Sequence, residues 1–214
     1  MIVVHHLSNS HSHVILWLLE ELEAEYKIVG HQRDSRTARS PESLRAVHPA
    51  AKAPTIEVDG QTMIESTGII LFLLEAYGGY KLRPAAGTPE AMRFYQWLTF
   101  IEGSAKAPLM MYFQALRFPA EDPRRQGADQ HMRQKLALIE SGLDGSETIV
   151  PGQVTAADFQ LAFFEELMEA LLPMEQWPNM NAHLQRMRQR DAYKRAESKG
   201  GPVGLKQLFA SMGA

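Results

Sequence analysis

The sequence predicts an α/β domain over residues 1–80 followed by an all-helical domain over residues 88–214. Three observations carry this. Strand and helix patterns run βαβαββα up to about residue 80, an order in which the first two strands can pair in parallel through a crossover helix, beside an antiparallel hairpin. Asp59-Gly60, between two short strand-like runs, is the strongest short hairpin signal a sequence offers. From Thr88 onward no strand pattern recurs, and Gly78 to Gly87, with Pro84, has linker composition.

Taken in order, Ile2-Val3-Val4-His5 is a short strand, and the loop Leu7 to Ser10 follows it. Ser12 stands where a cap would start a helix running to about Glu23. That helix, VILWLLEEL at its centre, is apolar nearly all round at its start and belongs between layers. Tyr26 to His31 reads as the second strand. A short helix opens at Pro41, with Ser40 as its expected cap. Thr55 to Val58 and Gln61 to Ile64 are the hairpin strands, and Thr67 to Ala76 is a helix ended by Gly78-Gly79. In the second domain, helical patterns run from Pro89 to Leu116, Asp122 to Leu143, Ala156 to Leu172 and Asn179 to Gln189. A shorter one starts near Ala192, and another ends the chain in LKQLFASM. Thr155 and Asp158 have capping-box spacing, with Val154 and Phe159 at the staple positions.

Composition narrows the function classes. Of 214 residues 45% are hydrophobic and 22% charged, as in a folded globular protein with a sizeable core. A formal net charge of -3 argues against a general nucleic-acid binder. The run Arg186, Arg188, Arg190, Lys194, Arg195 is interleaved with apolar and acidic residues and reads as a solvated helix face. With no cysteine, disulfide frameworks, thiolate metal sites and CxxC redox motifs are absent. His5, His6, His11 and His13 cluster, but strand alternation sends His5 and His6 to opposite faces and no His-x-x-x-His spacing occurs, so no metal is expected. The start MIVVHHLSNS lacks the pattern of a signal peptide, and the longest apolar runs are too short to span a bilayer, so a cytoplasmic protein without membrane contact is expected.

The residues around the hairpin raise a binding hypothesis. Pro54 stands at the first residue of a strand, where a missing N–H is tolerated. A cis Ala53-Pro54 bond there would present the backbone of Ala53 to a ligand. Glu65 and Ser66 open the following helix, and helix N-termini bind carboxylates through free amides and positive potential. The Ser66 hydroxyl and amide suit an α-carboxylate and Glu65 an α-ammonium. Equally, Glu65 could simply favour the helix dipole and Ser66 cap the helix.

APTIEVDG followed by IESTGIILFLLEAYG resembles the glutathione-binding segment of the cytosolic glutathione transferases. SHVILWLLEEL resembles the first helix of a bacterial and fungal branch with a serine-type N-terminal loop. VTAADFQLAF resembles the family's capping-box helix and WPNMNAHLQRMRQRDAYKRA its near-terminal helices, all in order. The resemblance implies a thioredoxin-like first domain, an all-helical second domain, a homodimer and glutathione as co-substrate. It implies that Ala53, ahead of a cis Pro54, contacts the cysteinyl backbone, that Glu65 and Ser66 hold the γ-glutamyl end, and that Lys52 reaches toward the glycyl carboxylate.

Since the chain has no thiol, the reacting sulfur must be that of glutathione. A thiol near pKa 8.5 is mostly protonated at neutral pH, and the thiolate is the nucleophile. The family stabilises it with a hydroxyl or thiol just after the first strand, and counting back from Val14 lands on Ser8. Asn9 and Ser10 are the rivals, Ser10 the closer one. A hydrogen bond to a charged group contributes about 1.5–3 kcal/mol, which lowers a thiol pKa by roughly one to two units.

The resemblance also implies a hydrophobic electrophile, held between the Leu7–Asn9 loop and the long helix carrying Glu102-Gly103 and Pro108 to Phe113, with Leu7, Leu109, Tyr112 and Phe113 as contacts. Pro108 should kink that helix. Two other functions remain open: a glutathione-dependent peroxidase or disulfide reductase, and a non-catalytic interaction module of the same fold.

Overall fold

The computed structural model describes residues 1–33 and 40–211. Four strands form one mixed sheet in the order β2-β1-β3-β4, comprising β1 (Ile2–Leu7), β2 (Tyr26–His31), β3 (Thr55–Val58) and β4 (Gln61–Met63). β1 pairs in parallel with β2, with Ile2 opposite Tyr26, and antiparallel with β3, with His5 opposite Thr55. The crossover between β1 and β2 is helix α1 (Ser12–Leu22). Helix α2 (Glu42–Val47) precedes β3, and α3 (Ser66–Ala76) follows β4. The expected α/β domain with its hairpin is present, with Asp59 and Gly60 at positive φ in the turn.

The chain divides into two compact units. The first joins Met1–Lys81 with Arg188–Gly204, and so includes α9 (Asp191–Gly200). Helix α1 packs against β1, α3 and α9, which is why its apolar residues lie on all sides: Val14, Ile15, Leu16, Leu18 and Leu19 are fully buried. The packing of α1 on α9 also takes up part of the expected solvated basic face. Arg190 Nε lies 2.5 Å from Glu21 Oε1, Arg195 Nε lies 2.9 Å from Glu20 Oε2, and Lys199 bonds the other Glu20 oxygen. Burial alone would raise the Glu20 carboxyl, but hydrogen bonds from Lys199, Tyr26 and Arg195 outweigh it and hold the pKa below its ordinary value. Gly200 ends α9 against β1 and α1: a Cβ there would sit 2.5 Å from Leu16 Cδ1 and 3.1 Å from His6 Nε2.

The second unit is helical, built from α4 (Pro89–Phe100), α5 (Lys106–Ala115), α6 (Pro123–Gly142), α7 (Ala156–Glu169), α8 (Pro178–Arg188) and α10 (Leu205–Ser211). The expected continuous helix from Pro89 to Leu116 is interrupted by one π-helical turn at Ile101–Ala105, closed by Lys106 N bonding to Ile101 O. Pro108 follows in the first turn of α5. Its ring cannot supply an N–H to the preceding turn, and a widened turn is one of the usual ways a helix absorbs such a break.

Helix starts differ in two places from the sequence reading. Ser12 is the first helical residue of α1 rather than its cap, and His11 at the cap position makes no capping bond. Pro41, not Ser40, is the cap residue of α2. The capping box of α7 forms as expected: Asp158 Oδ2 accepts from Thr155 N at 2.7 Å. Asp158 Oδ1 accepts from Ile149 N at 2.8 Å and faces His183 Nε2 at 3.2 Å. His183 Nδ1 meets Glu165 Oε2 at 2.7 Å, and all three side chains are fully buried. Burial would lower His183, but Glu165 and Asp158 outweigh it and push the imidazole up to about 9. Among the described residues no helix is long and apolar enough to cross a membrane.

Candidate functional site at one end of the sheet

The register brings three nominated segments to one end of the sheet. His5 lies opposite Thr55, so β1 ends and turns toward α1 where β3 begins. Met63 lies opposite Ile56, so β4 also ends there and leads to α3. The β1–α1 turn with Ser8, Asn9 and Ser10, the segment Lys52-Ala53-Pro54, and Glu65-Ser66 therefore share that end. The Ala53-Pro54 peptide is cis. Lys52 extends an exposed side chain, while its carbonyl accepts from Thr55 Oγ1 at 2.6 Å.

Glu65 has φ 74 and ψ 105, outside the regions that side chains other than glycine usually adopt. Such a conformation costs on the order of 1–3 kcal/mol and recurs at ligand-binding positions. It leaves the carboxylate exposed, with no hydrogen-bond partner among the described residues. Ser66 is the first residue of α3, and Ile69 N is the first amide to find its acceptor in Glu65 O. A helix start favours anions through its N-terminal amides and positive potential.

At the β1–α1 turn the three candidate sulfur partners sit in different circumstances. Ser8 is exposed, and its hydroxyl has no partner among the described residues. Asn9 has φ 55, and its Oδ1 accepts from Gly204 N at 2.6 Å. The Ser10 hydroxyl lies 2.8 Å from Ser12 Oγ and accepts from Ser12 N at 3.3 Å. The turn is clamped by Arg33, whose guanidinium donates to Ser8 O at 3.3 Å and Asn9 O at 3.0 Å. Sequence reasoning missed Arg33, Ser12 and Gly204. The carbonyls and amides they engage carry no signal in the sequence, and two of the partners lie far along the chain.

Residues 5–81 match the family model for the glutathione S-transferase N-terminal domain. Glutathione S-transferase 1 of Saccharomyces cerevisiae is 26% identical over 95% of this chain and 97% of its own length. The crystal structure of a glutathione S-transferase from Actinobacillus pleuropneumoniae superposes with a TM-score of 0.90 at 29% identity, covering 97% of this chain and 96% of that one. Together these matches support a member of the cytosolic glutathione S-transferase family. A sphingomonad glutathione S-transferase, solved with glutathione bound, shares the fold at a TM-score of 0.75 and 22% identity, over 93% of this chain and 98% of its own.

The histidines take the opposite faces that strand alternation predicts. His5 bonds His31 Nε2 at 3.0 Å and Glu57 at 3.1 Å, whereas His6 bonds Ser12 Oγ and Gly200 O, each at 2.9 Å. No group of three or more His, Asp or Glu among the described residues is arranged to hold a metal. The residues nominated for the electrophile are mostly packed within their own units. Leu7 is 2% exposed, Leu109 1% and Tyr112 5%. Phe113 is half-buried, its ring 4.8 Å from that of Phe209. On α5 the exposed apolar side chains are Met110 and Met111. Glu102, in the π-helical turn, pairs with Lys106 Nζ at 2.7 Å.

Proposed function

We propose that this protein is a glutathione transferase that adds the glutathione thiolate to electrophilic carbon in small hydrophobic substrates. One observation carries the reading: the unpartnered Ser8 hydroxyl, the strained and exposed Glu65 and the N-terminus of α3 at Ser66 share one end of the sheet. Glu65 pairs with the α-ammonium of the γ-glutamyl end, and Ser66 with the α3 amides holds its carboxylate. The Ala53 backbone, ahead of Pro54, binds the cysteinyl backbone, and Lys52 faces the glycyl carboxylate.

Ser8 donates to the sulfur. Of the two rivals, Ser10 already has its hydroxyl against Ser12, and Asn9 is anchored through its oxygen to Gly204. A charge-assisted bond of about 1.5–3 kcal/mol lowers the thiol pKa by roughly one to two units, enough to make thiolate a major species near neutral pH. The N-terminus of α1 adds a smaller share. The thiolate then attacks the electrophilic carbon and the leaving group departs, or the new bond is completed by protonation in an addition. Of the α5 residues nominated for the electrophile, Phe113 is the one with exposed apolar surface to offer it. The protein works as a cytoplasmic homodimer and in detoxification.

Activity on a chloronitroarene, a hydroperoxide and a glutathione mixed disulfide tests this. Conjugation of the arene, exceeding the other two reactions, is expected. Turnover confined to the hydroperoxide or the disulfide would replace transfer by peroxidase or reductase chemistry. Tight glutathione binding without turnover of any of the three would make the protein a binding module.

A further inference from the structure

The Ser10–Ser12–His6 chain has a direction, and it follows from the partners at its inner end. His6 Nε2 lies 2.9 Å from Gly200 O, and a carbonyl only accepts, so Nε2 carries a proton. Burial keeps the ring neutral by lowering its pKa, against the raising effect of the Gly200 carbonyl. Nδ1 is therefore an acceptor, and Ser12 Oγ donates to it at 2.9 Å in preference to Leu7 O, its other acceptor, at 3.3 Å. With its one proton so placed, Ser12 Oγ accepts from Leu7 N at 3.2 Å and from Ser10 Oγ at 2.8 Å. Ser10 thus points its proton inward. One of its two lone pairs takes Ser12 N, and the other is open.

Ser12 is fully buried and His6 is 5% exposed, whereas Ser10 reaches the partly exposed turn beside Ser8. The chain therefore runs from the turn to a buried base. The ionisable groups that face His6 are His31 at the end of β2, whose charge disfavours a second positive charge, and His13 in α1, buried and pushed down to about 4 by burial and by the neighbouring His6 and His11. No carboxylate among the described residues bonds to His6. In the free protein burial outweighs the Gly200 carbonyl and keeps the ring neutral, and an anion at the mouth of the chain supplies the missing countercharge.

We propose that Ser10, Ser12 and His6 form a proton relay that takes up the thiol proton of glutathione, with His6 Nδ1 as the terminal acceptor and the Gly200 carbonyl fixing the tautomer. This rests on the reading that glutathione places its sulfur at the β1–α1 turn. The S–H proton passes to the open lone pair of Ser10 Oγ, the Ser10 proton passes to Ser12 Oγ, and the Ser12 proton passes to His6 Nδ1. The sulfur keeps the electron pair of the broken S–H bond. Afterwards every hydrogen bond in the chain is reversed: imidazolium donates to Ser12, Ser12 to Ser10, and Ser10 to the thiolate. Ser10 thereby changes from an acceptor facing the thiol to a donor facing the anion, and joins Ser8 in stabilising it. Ser12 and His6 are positioning residues that act through Ser10. Because the proton stays on the protein, ionisation of the bound thiol releases less than one proton to solvent.

The test counts protons and reads the imidazole directly. Glutathione and S-methylglutathione, which has no thiol proton, are titrated into the protein in two buffers of different ionisation enthalpy, with thiolate followed by its ultraviolet absorbance. The His6 ring is followed by nitrogen NMR. The relay requires that fewer protons are released than thiolate is formed, and that His6 becomes imidazolium with glutathione but stays neutral with S-methylglutathione. Ser12→Ala should make proton release equal to thiolate formed and leave about tenfold less thiolate near neutral pH, one pKa unit. Thiolate formed with His6 still neutral would overturn the relay alone. Absence of binding by either ligand would overturn both the relay and the docking on which it rests. The wild-type NMR result stands without any variant, so poor folding of Ser12→Ala does not remove the test.

Discussion

Replacing Asp158 by alanine should be among the most damaging single changes in the helical unit. The carboxylate is fully buried and accepts from Ile149 N at 2.8 Å, Thr155 N at 2.7 Å and Thr155 Oγ1 at 2.9 Å, with His183 Nε2 at 3.2 Å. Truncation leaves two buried backbone amides without partners, at about 1–3 kcal/mol each. It also takes from His183 one of the two carboxylates that hold its charge, and breaking a buried ion pair costs about 3–5 kcal/mol. These terms share one side chain and do not add fully, so a loss of about 3–5 kcal/mol is expected. That is a large part of the usual 5–15 kcal/mol of a folded domain, and at roughly 2–4 °C per kcal/mol it lowers Tm by about 6–20 °C. Asp158→Asn should be little milder, because whichever way the amide turns, its NH₂ faces donors. Thermal unfolding by circular dichroism, with glutathione affinity measured well below the transition, separates stability from binding. A Tm within about 2 °C of wild type would mean that Asp158 is not the anchor of this network.

Two further outcomes follow from the geometry. Glu65→Gln keeps shape and removes charge, so calorimetry should show glutathione affinity reduced by about 1–3 kcal/mol; unchanged affinity would leave Glu65 as a dipole partner only. Stability should fall as pH rises from 6.5 to 9: His183 is raised from 6.5 to about 9 in the folded state, so its contribution is complete below 6.5 and lost through 9. Glu165, raised by burial from 4.5 to about 7, acts in the same sense. His13, pushed down to about 4, is neutral in folded and unfolded chains over most of that range. A Tm that stays flat or rises between pH 6.5 and 9 would show that His183 is not held protonated.

Features coded by adjacent residues were legible in the sequence. The Asp59-Gly60 turn, the parallel pairing of β1 and β2, the apolar burial of α1 and the Thr155–Asp158 box each depend on a local pattern of charge, turn chemistry or periodicity. What was not legible depends on partners remote along the chain. The ion pairs of Glu20 and Glu21 with Arg190, Arg195 and Lys199 join residues 169 to 179 positions apart and leave no local pattern in the sequence. Ser12 has the composition of a cap, but the buried His6 ring draws its hydroxyl inward, and the helix begins with it. The break at Ile101–Ala105 is a widened turn ahead of Pro108 rather than a simple kink, a choice made by backbone geometry that side-chain pattern does not encode. For the site, Glu65 and Ser66 were nominated because a helix start follows a hairpin. The sequence put Ser8 ahead of Ser10 and Asn9 by position alone; the different hydrogen-bond partners of these three polar residues were legible only in the structure.

The proposal that this chain ionises glutathione through Ser8 is tested most directly by the thiolate absorbance of the glutathione-saturated protein, titrated against pH for the wild type and Ser8→Ala. The wild-type thiol should titrate roughly one to two units below the free value near 8.5, and Ser8→Ala should move it back up by about one unit while binding stays nearly intact. A saturated wild-type complex whose thiol titrates near 8.5, or a Ser8→Ala complex with the wild-type pKa, would contradict it.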